Sequence, residues 1–221
     1  MTERLVGRVV VLSPHLDDAV FSLGATISKV AGAGSCVEVL TVFSDDPLSD
    51  APAIGWDTRG GFTTEGEAAR ARREEDREAC RLLGAHPHWL PFCGGGYTPD
   101  KDKDAITAAI GERVAGADTL LVPGFPLQNP DHRWLTELLE SKPPRVLRIG
   151  RYVEQPYSYA VRKELPLPRL GWETVSLSLG DRLRKRRAIL AYASQLPMLS
   201  VSKGRLNRLV LQSEPISWRP E

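Results

Sequence analysis

The sequence predicts an α/β fold with a Rossmann-like, mostly parallel sheet and helices on both faces. Three observations predict it. Short β-branched runs alternate with amphipathic helical stretches, Gly, Pro or Asp punctuates the breaks, and 221 residues suit one α/β domain better than two. Arg8 to Leu12 (RVVVL) has the composition of a buried strand. Ser13-Pro14 ends it, and Ala19 to Val30 reads as a helix stopped by Gly32 and Gly34. Val37 to Phe43 is a second strand, followed by a loop from Ser44 to about Glu65 rich in Asp, Pro and Gly. Loops longer than ~15 residues in compact domains are often lids or binding loops. Gly66 to Leu83 is a charged amphipathic helix stopped by Gly84, and a short strand at His88 to Pro91 leads to the turn Cys93-Gly94-Gly95-Gly96. A helix over Asp102 to Ala115, a strand at Thr119 to Val122, the loop Pro123 to Pro130 and a helix over Asp131 to Glu140 follow. Arg145 to Val153 reads as a strand, Val175 to Leu179 as a weaker one, and Asp181 to about Ala193 as the last helix. Right-handed crossovers would align the loops after the strands along one carboxyl edge, where ligands of such sheets bind. No internal repeat or second domain shows, so 1–221 is expected to form one domain with its core at about 8–195. The stretch after Pro197 is too weakly patterned to assign.

Lys plus Arg total 29 against 28 Asp plus Glu. That balance gives no reason to invoke nucleic acid or an anionic membrane as partner. The run Arg182-Leu183-Arg184-Lys185-Arg186-Arg187 reads as a solvated helix face. No apolar stretch approaches the ~20 residues that span a bilayer, and Met1 to Arg8 lacks the pattern of a signal peptide. Three cysteines, Cys36, Cys80 and Cys93, are an odd number at wide spacing. They fit neither a disulfide framework nor a thiolate zinc knuckle, and a cytoplasmic location is expected.

The chemistry concentrates in Ser13-Pro14-His15-Leu16-Asp17-Asp18-Ala19, the turn from first strand to first helix. His15 and Asp18 are three apart and can face one point. Asp17 and Asp18 point about 100° apart in helical geometry, which suits them to different tasks around one ion. Imidazole nitrogen with carboxylate oxygen suits zinc or another divalent transition metal. Either carboxylate could instead cap the helix. Of the four histidines, His86 and His88 flank Pro87 at a strand entry. His132, in Asn129-Pro130-Asp131-His132, stands at a strand-to-helix junction on the same predicted edge as His15 and Asp18 and can converge with them.

These residues resemble the LmbE-like, or PIG-L, family of zinc-dependent N-deacetylases. Pro14-His15-Leu16-Asp17-Asp18 matches its P/A-H-x-D-D signature, with Gly24 at its usual small-residue position. Arg72 and Glu75 with Leu83-Gly84 match its R-x-x-E helix, and Asn129 to His132 occupies its H-x-D-H position. Lys185, Ala188 and Tyr192-Ala193-Ser194-Gln195 resemble its late K-x-x-A…Y-x-S-Q helix. The resemblance implies a Zn2+ ion held by His15, Asp18 and His132, with Asp17 as general base, and removal of an N-acyl group, first of all N-acetyl, from an amino sugar or sugar-bearing small molecule. One departure is plain: Asn129 stands where the family has the first His of its pair. An amide can donate a hydrogen bond to an oxyanion but cannot act as an acid. Asp131 reads either as orienting a neighbouring imidazole or as a helix N-cap.

Substrate contacts have rival readings. Arg72 could reach a substrate hydroxyl or phosphate, or simply pair with Glu75 on its helix. Asp45, Asp46, Trp56 and Arg59 offer sugar-like chemistry, or are ordinary loop residues. Tyr157 lines the pocket or belongs to the core. The Gly94-Gly95-Gly96 turn lacks the P-loop Lys-Ser/Thr and reads as a flexible turn. A receiver domain would need a phosphorylatable Asp in His88 to Cys93, which has none. A family member that binds sugar or metal without hydrolysis, and an amidase acting on a larger thiol or peptide conjugate, remain the alternatives to the deacetylase.

Overall fold

The computed structural model describes residues 2–94, 96–98, 100–159, 171–199 and 202–219. Its first strand, β1 (Arg8–Ser13), decides the architecture. Val9 and Val11 pack into one core and Val10 and Leu12 into another, so both faces are covered. A strand buried on both faces belongs inside a sheet, between helical layers. The other strands are β2 (Cys36–Thr41), β3 (His86–Trp89), β4 (Thr119–Phe125), β5 (Arg148–Val153), β6 (Glu173–Thr174) and β7 (Pro215–Trp218). They form one seven-stranded sheet in the order β3-β2-β1-β4-β5-β7-β6. β1 to β5 run parallel, whereas β7 is antiparallel to both β5 and β6.

The helices are α1 (Asp18–Gly32), α2 (Gly55–Arg59), α3 (Glu65–Leu83), α4 (Lys103–Val114), α5 (Pro130–Ser141), α6 (Leu179–Leu190) and α7 (Lys203–Leu211). One core takes residues of α1, α3, α6 and α7, and the other takes residues of α4 and α5. Their ends follow local chemistry. Thr64 accepts from Glu67 N–H to start α3, and Gly84 ends it at φ 76°. Ser178 and Asp181 form a reciprocal capping box at the start of α6. β1 is flanked by β2 and β4, so the chain leaves it toward both sides of the sheet. That reversal opens a crevice beyond the carboxyl ends of β1 and β4.

Four expectations are corrected. The stretch Ser44 to Glu65 is not all loop, because it contains α2. Val175 to Leu179 is not a strand: β6 is Glu173–Thr174, and the Ser178 cap commits Leu179 to α6. α6 ends at Leu190, so Tyr192 to Gln195 lie in the turns beyond it. The basic run is not wholly solvated either, since Lys185 is fully buried with its Nζ 2.6 Å from Glu214. The stretch after Pro197, which carried no expectation, supplies α7 and β7, and through β7 it extends the sheet. Among the described residues no helix is long and apolar enough to cross a membrane.

Candidate metal centre and its pocket

The centre is built where β1 runs into α1. Asp17 holds φ 126°, a backbone region that costs about 1–3 kcal/mol for a residue with a side chain. Neighbouring hydrogen bonds hold it there. Ser13 Oγ donates to His15 O and accepts from Ala19 N–H, Asp18 Oδ2 accepts from His15 N–H, and Gln195 Nε2 donates to Leu16 O at 2.7 Å. Asp17 stands at the N-cap position but makes no capping hydrogen bond, so that rival reading fails. Its side chain lines the pocket instead.

α5 brings the later imidazole. Asn129 is the N-cap of α5, its Oδ1 accepting from Asp131 N–H, with Pro130 in the first turn. Parallel pairing of β1 and β4 puts the two junctions at the same edge, and His132 falls beside the early pair. His15 Nδ1 lies 3.1 Å from His132 Nε2, His132 Nε2 lies 3.1 Å from Asp18 Oδ2, and His15 Nδ1 lies 3.3 Å from Asp18 Oδ2. Donors placed tetrahedrally at ~2.0–2.1 Å around a zinc ion would be spaced by roughly 3.3–3.4 Å. The trio therefore has the chemistry and the spacing to hold such an ion. His86 and His88 take no part, because they lie in β3, where His88 contacts Glu38.

Carboxylates fix both imidazoles from behind. Asp131 Oδ2 lies 3.1 Å from His15 Nε2, while its Oδ1 pairs with Lys101 Nζ at 2.9 Å. Asp131 thus contacts the His15 ring, and the cap of α5 is Asn129. Glu154, at the end of β5, contacts His132 Nδ1 through Oε1 and accepts from Leu127 N–H through Oε2. Such partners select the tautomer that leaves the opposite nitrogen free to ligate. Electrostatics follow the same geometry. Burial opposes charge on His15, but its bonds to Asp131 and Asp18 win and raise it to about 9. Burial opposes charge on His132 as well, yet Asp18 and Glu154 raise it to about 10. Burial works against the Asp18 carboxylate too, but His132 and His15 hold it well below the usual range. Asp17 is pushed well above its ordinary value, first by burial and then by Asp18.

A pocket of about 290 Å³ opens onto this centre. Asp17, Asp45, Trp56, Arg72, Asp131 and Tyr157 all line it, as sequence reasoning allowed. Asp46 and Arg59 do not: Asp46 Oδ1 closes a turn on Leu48 N–H, and Arg59 is exposed. Arg72 is not paired with Glu75, which binds Ser194 instead. Its Nη1 lies 2.6 Å from Asp57, while its buried Nε and Nη2 meet no hydrogen-bond partner among the described residues. The Tyr157 ring stands edge-on to His132 at 5.5 Å.

The turn at Gly94 is more than a flexible connector. A Cβ on Gly94 would come within 3.3 Å of Asp131 Oδ2 and 3.7 Å of His15 Nε2, so the backbone packs directly against the centre. Gly95 lies outside the described residues. Sequence reasoning also missed Glu154, Lys101, Asp57 and the contact that Gln195 makes. Glu154 could have been found, because it follows a strand on the same edge that singled out His15 and His132. Lys101 and Asp57 carry no comparable signal.

The sequence profile of the PIG-L family, described as GlcNAc-PI de-N-acetylase, matches residues 10–141. A 2′-N-acetylparomamine deacetylase of Streptomyces fradiae is 31% identical over 57% of this chain and 48% of its own length. A diacetylchitobiose deacetylase of Thermococcus kodakarensis is 30% identical over 58% of this chain and 46% of its own length. The chain thus spans about half the length of the curated relatives it matches. Among solved structures, the zinc-inhibited form of teicoplanin deacetylase Orf2 superposes with a TM-score of 0.79 at 20% identity, over 96% of this chain and 97% of that one. That likeness concerns the fold.

Proposed function

The chain belongs to the PIG-L family, and from that premise we propose that it is a zinc-dependent hydrolase removing an N-acetyl group from an amino sugar or sugar-bearing small molecule. The observation that carries this reading is the convergence of His15 Nδ1, Asp18 Oδ2 and His132 Nε2 within 3.3 Å of one another, beside a buried Asp17 that no cap engages. The named activities of the relatives support it, since they act on paromamine and chitobiose derivatives. We take 1–221 to act as one catalytic domain, and the three free cysteines suit a cytoplasmic location.

His15, Asp18 and His132 would hold the ion. When bound, zinc supplies Lewis acidity and brings the pKa of water to about 7. Asp17 takes the proton of the attacking water as its oxygen bonds to the acyl carbon. The same carboxyl then passes that proton to the nitrogen as the C–N bond breaks, releasing acetate and an amine. Asn129 is not an acid and caps α5, so the second proton task falls to Asp17. The Tyr157 hydroxyl, in the pocket beside His132, donates to the carbonyl oxygen as it gains charge. Arg72, which lines the pocket, serves as the contact for a sugar hydroxyl or the acyl oxygen.

Asp17→Asn separates these roles. The variant is expected to bind one zinc per chain, as wild type does, and to lose at least ~100-fold in kcat on N-acetylated amino sugars. His15→Ala and Asp18→Ala lose the metal. Zinc content by atomic absorption and amine release by fluorogenic labelling measure both. Normal turnover by Asp17→Asn refutes the mechanism, and a zinc-loaded wild type that releases no amine points to a binding protein instead.

A further inference from the structure

The pocket lining is chemically mixed. Polar and charged side chains such as His15, Asp17, Asp18 and Arg72 share the lining with the apolar Ile54, Trp56 and Leu199. Leu199 packs against the core on its inner side, but Ile54 and Trp56 belong to neither hydrophobic core. They remain 43% and 37% exposed, so folding does not explain them. Neighbouring large apolar side chains left in water at the mouth of a reacting centre mark a ligand surface.

The segment bearing them is built to stay in place. Asp57, 2% exposed, takes Arg72 Nη1 at 2.6 Å and the Tyr97 hydroxyl at 2.6 Å. That hydroxyl in turn accepts from Ile54 N–H at 3.2 Å. Thr58 Oγ1 donates to Ala53 O, Ala53 N–H donates to Thr63 O, and Pro52 bridges to Thr64. A buried guanidinium–carboxylate pair thus anchors a five-residue helix that exposes the Trp56 indole, with Ile54 exposed at its N-cap. Preorganised side chains bind without the entropy cost of ordering a loop.

We propose that Ile54 and Trp56 form a subsite for a flat, apolar aglycone joined to the amino sugar, so that the chain acts on hydrophobic glycosides rather than on free monosaccharides. This rests on the deacetylase reading. A cavity of about 290 Å³ lies at the lower end of ligand pockets, room for the sugar at the centre but not for a large second group as well. The aglycone therefore leaves along the open rim, where the Trp56 ring offers a stacking face. A second sugar fits this rim poorly, because Ile54 and Leu199 offer its hydroxyls no hydrogen-bonding side chain.

The test compares the methyl β-glycoside of N-acetylglucosamine, its 2-naphthyl β-glycoside and N,N′-diacetylchitobiose on the zinc-loaded full chain. The naphthyl glycoside is expected to exceed the methyl glycoside about tenfold in kcat/KM, the size of one good aromatic contact with its buried area. The disaccharide should gain less than twofold. Trp56→Ala, or Ile54→Ser should the first variant fold poorly, brings the naphthyl-to-methyl ratio down toward one. Calorimetric titration with the deacetylated naphthyl and methyl glucosaminides reads the same preference without turnover. Equal rates for naphthyl and methyl, a disaccharide preferred over both, or a ratio unmoved in the variants overturns the subsite. If no glycoside releases amine, the deacetylase reading itself fails, and the titration alone decides whether the rim binds naphthyl.

Discussion

Glu154 gives the sharpest test of how the centre is held. Its two oxygens do two jobs, since Oε1 meets His132 Nδ1 and Oε2 accepts from Leu127 N–H at 2.8 Å. Both contacts lie out of water, the His132 side chain being fully buried. Glu154→Ala removes the acceptor that keeps the Nδ1 proton in place, so His132 is free to move its proton to Nε2, the atom facing His15 and Asp18. Losing a partner of this kind costs about 10–100-fold in metal affinity, or ~1.4–2.7 kcal/mol. Glu154→Gln is the more informative change. A glutamine has one acceptor oxygen where Glu154 uses two. If that oxygen turns to His132, its NH2 confronts the Leu127 N–H, and stability falls by about 1–3 kcal/mol while zinc affinity stays near wild type. If it turns to Leu127, the NH2 confronts Nδ1, the wrong tautomer is selected and affinity falls as in the alanine variant. Zinc competition against a chromophoric chelator gives the affinity, and urea melts give the stability. A Glu154→Ala protein with wild-type zinc affinity would refute the argument that this carboxylate orients His132.

Two further outcomes follow from buried charge. Lys185→Met leaves the Glu214 carboxylate, 1% exposed, with the N–H groups of Ala25 and Thr26 as its remaining donors among the described residues. Breaking a buried pair from one side costs about 3–5 kcal/mol, which lowers Tm by roughly 6–20 °C in a domain of this size; calorimetry showing a drop below ~3 °C contradicts it. The second outcome concerns pH. Because carboxylate partners outweigh burial and raise His15 to about 9 and His132 to about 10, zinc binding near pH 7 should expel about two protons and tighten as pH rises. For the zinc-free protein the sign is opposite. Both folded values lie above the ordinary histidine value, so the stability they contribute is complete below pH ~6.5 and is lost as pH climbs through the folded values. Titrations in buffers of different ionisation enthalpy count the protons, and zinc-free melts across that range check the stability. No proton release, or melts that rise with pH, rules it out.

Local sequence determined a great deal here. The β-branched run at Arg8 to Leu12, the glycine stops and the alternation of strand and helix patterns specify a parallel α/β sheet, because burial of each apolar face depends on neighbours in the chain. Position after a strand was enough to single out His15, Asp17, Asp18 and His132, since parallel strands send all their carboxyl ends to one edge. Elements whose pattern is short, or whose partner is distant, were illegible. β7 is four residues long and antiparallel, and it exists because β5 offers it an edge. The burial of Lys185 depends on Glu214, and the partner of Arg72 is Asp57 on a separate element rather than Glu75 one turn away. Only the folded chain decides such pairings. A charge in a sequence is equally content in water or in an ion pair, and which it meets depends on packing between segments that no local pattern connects.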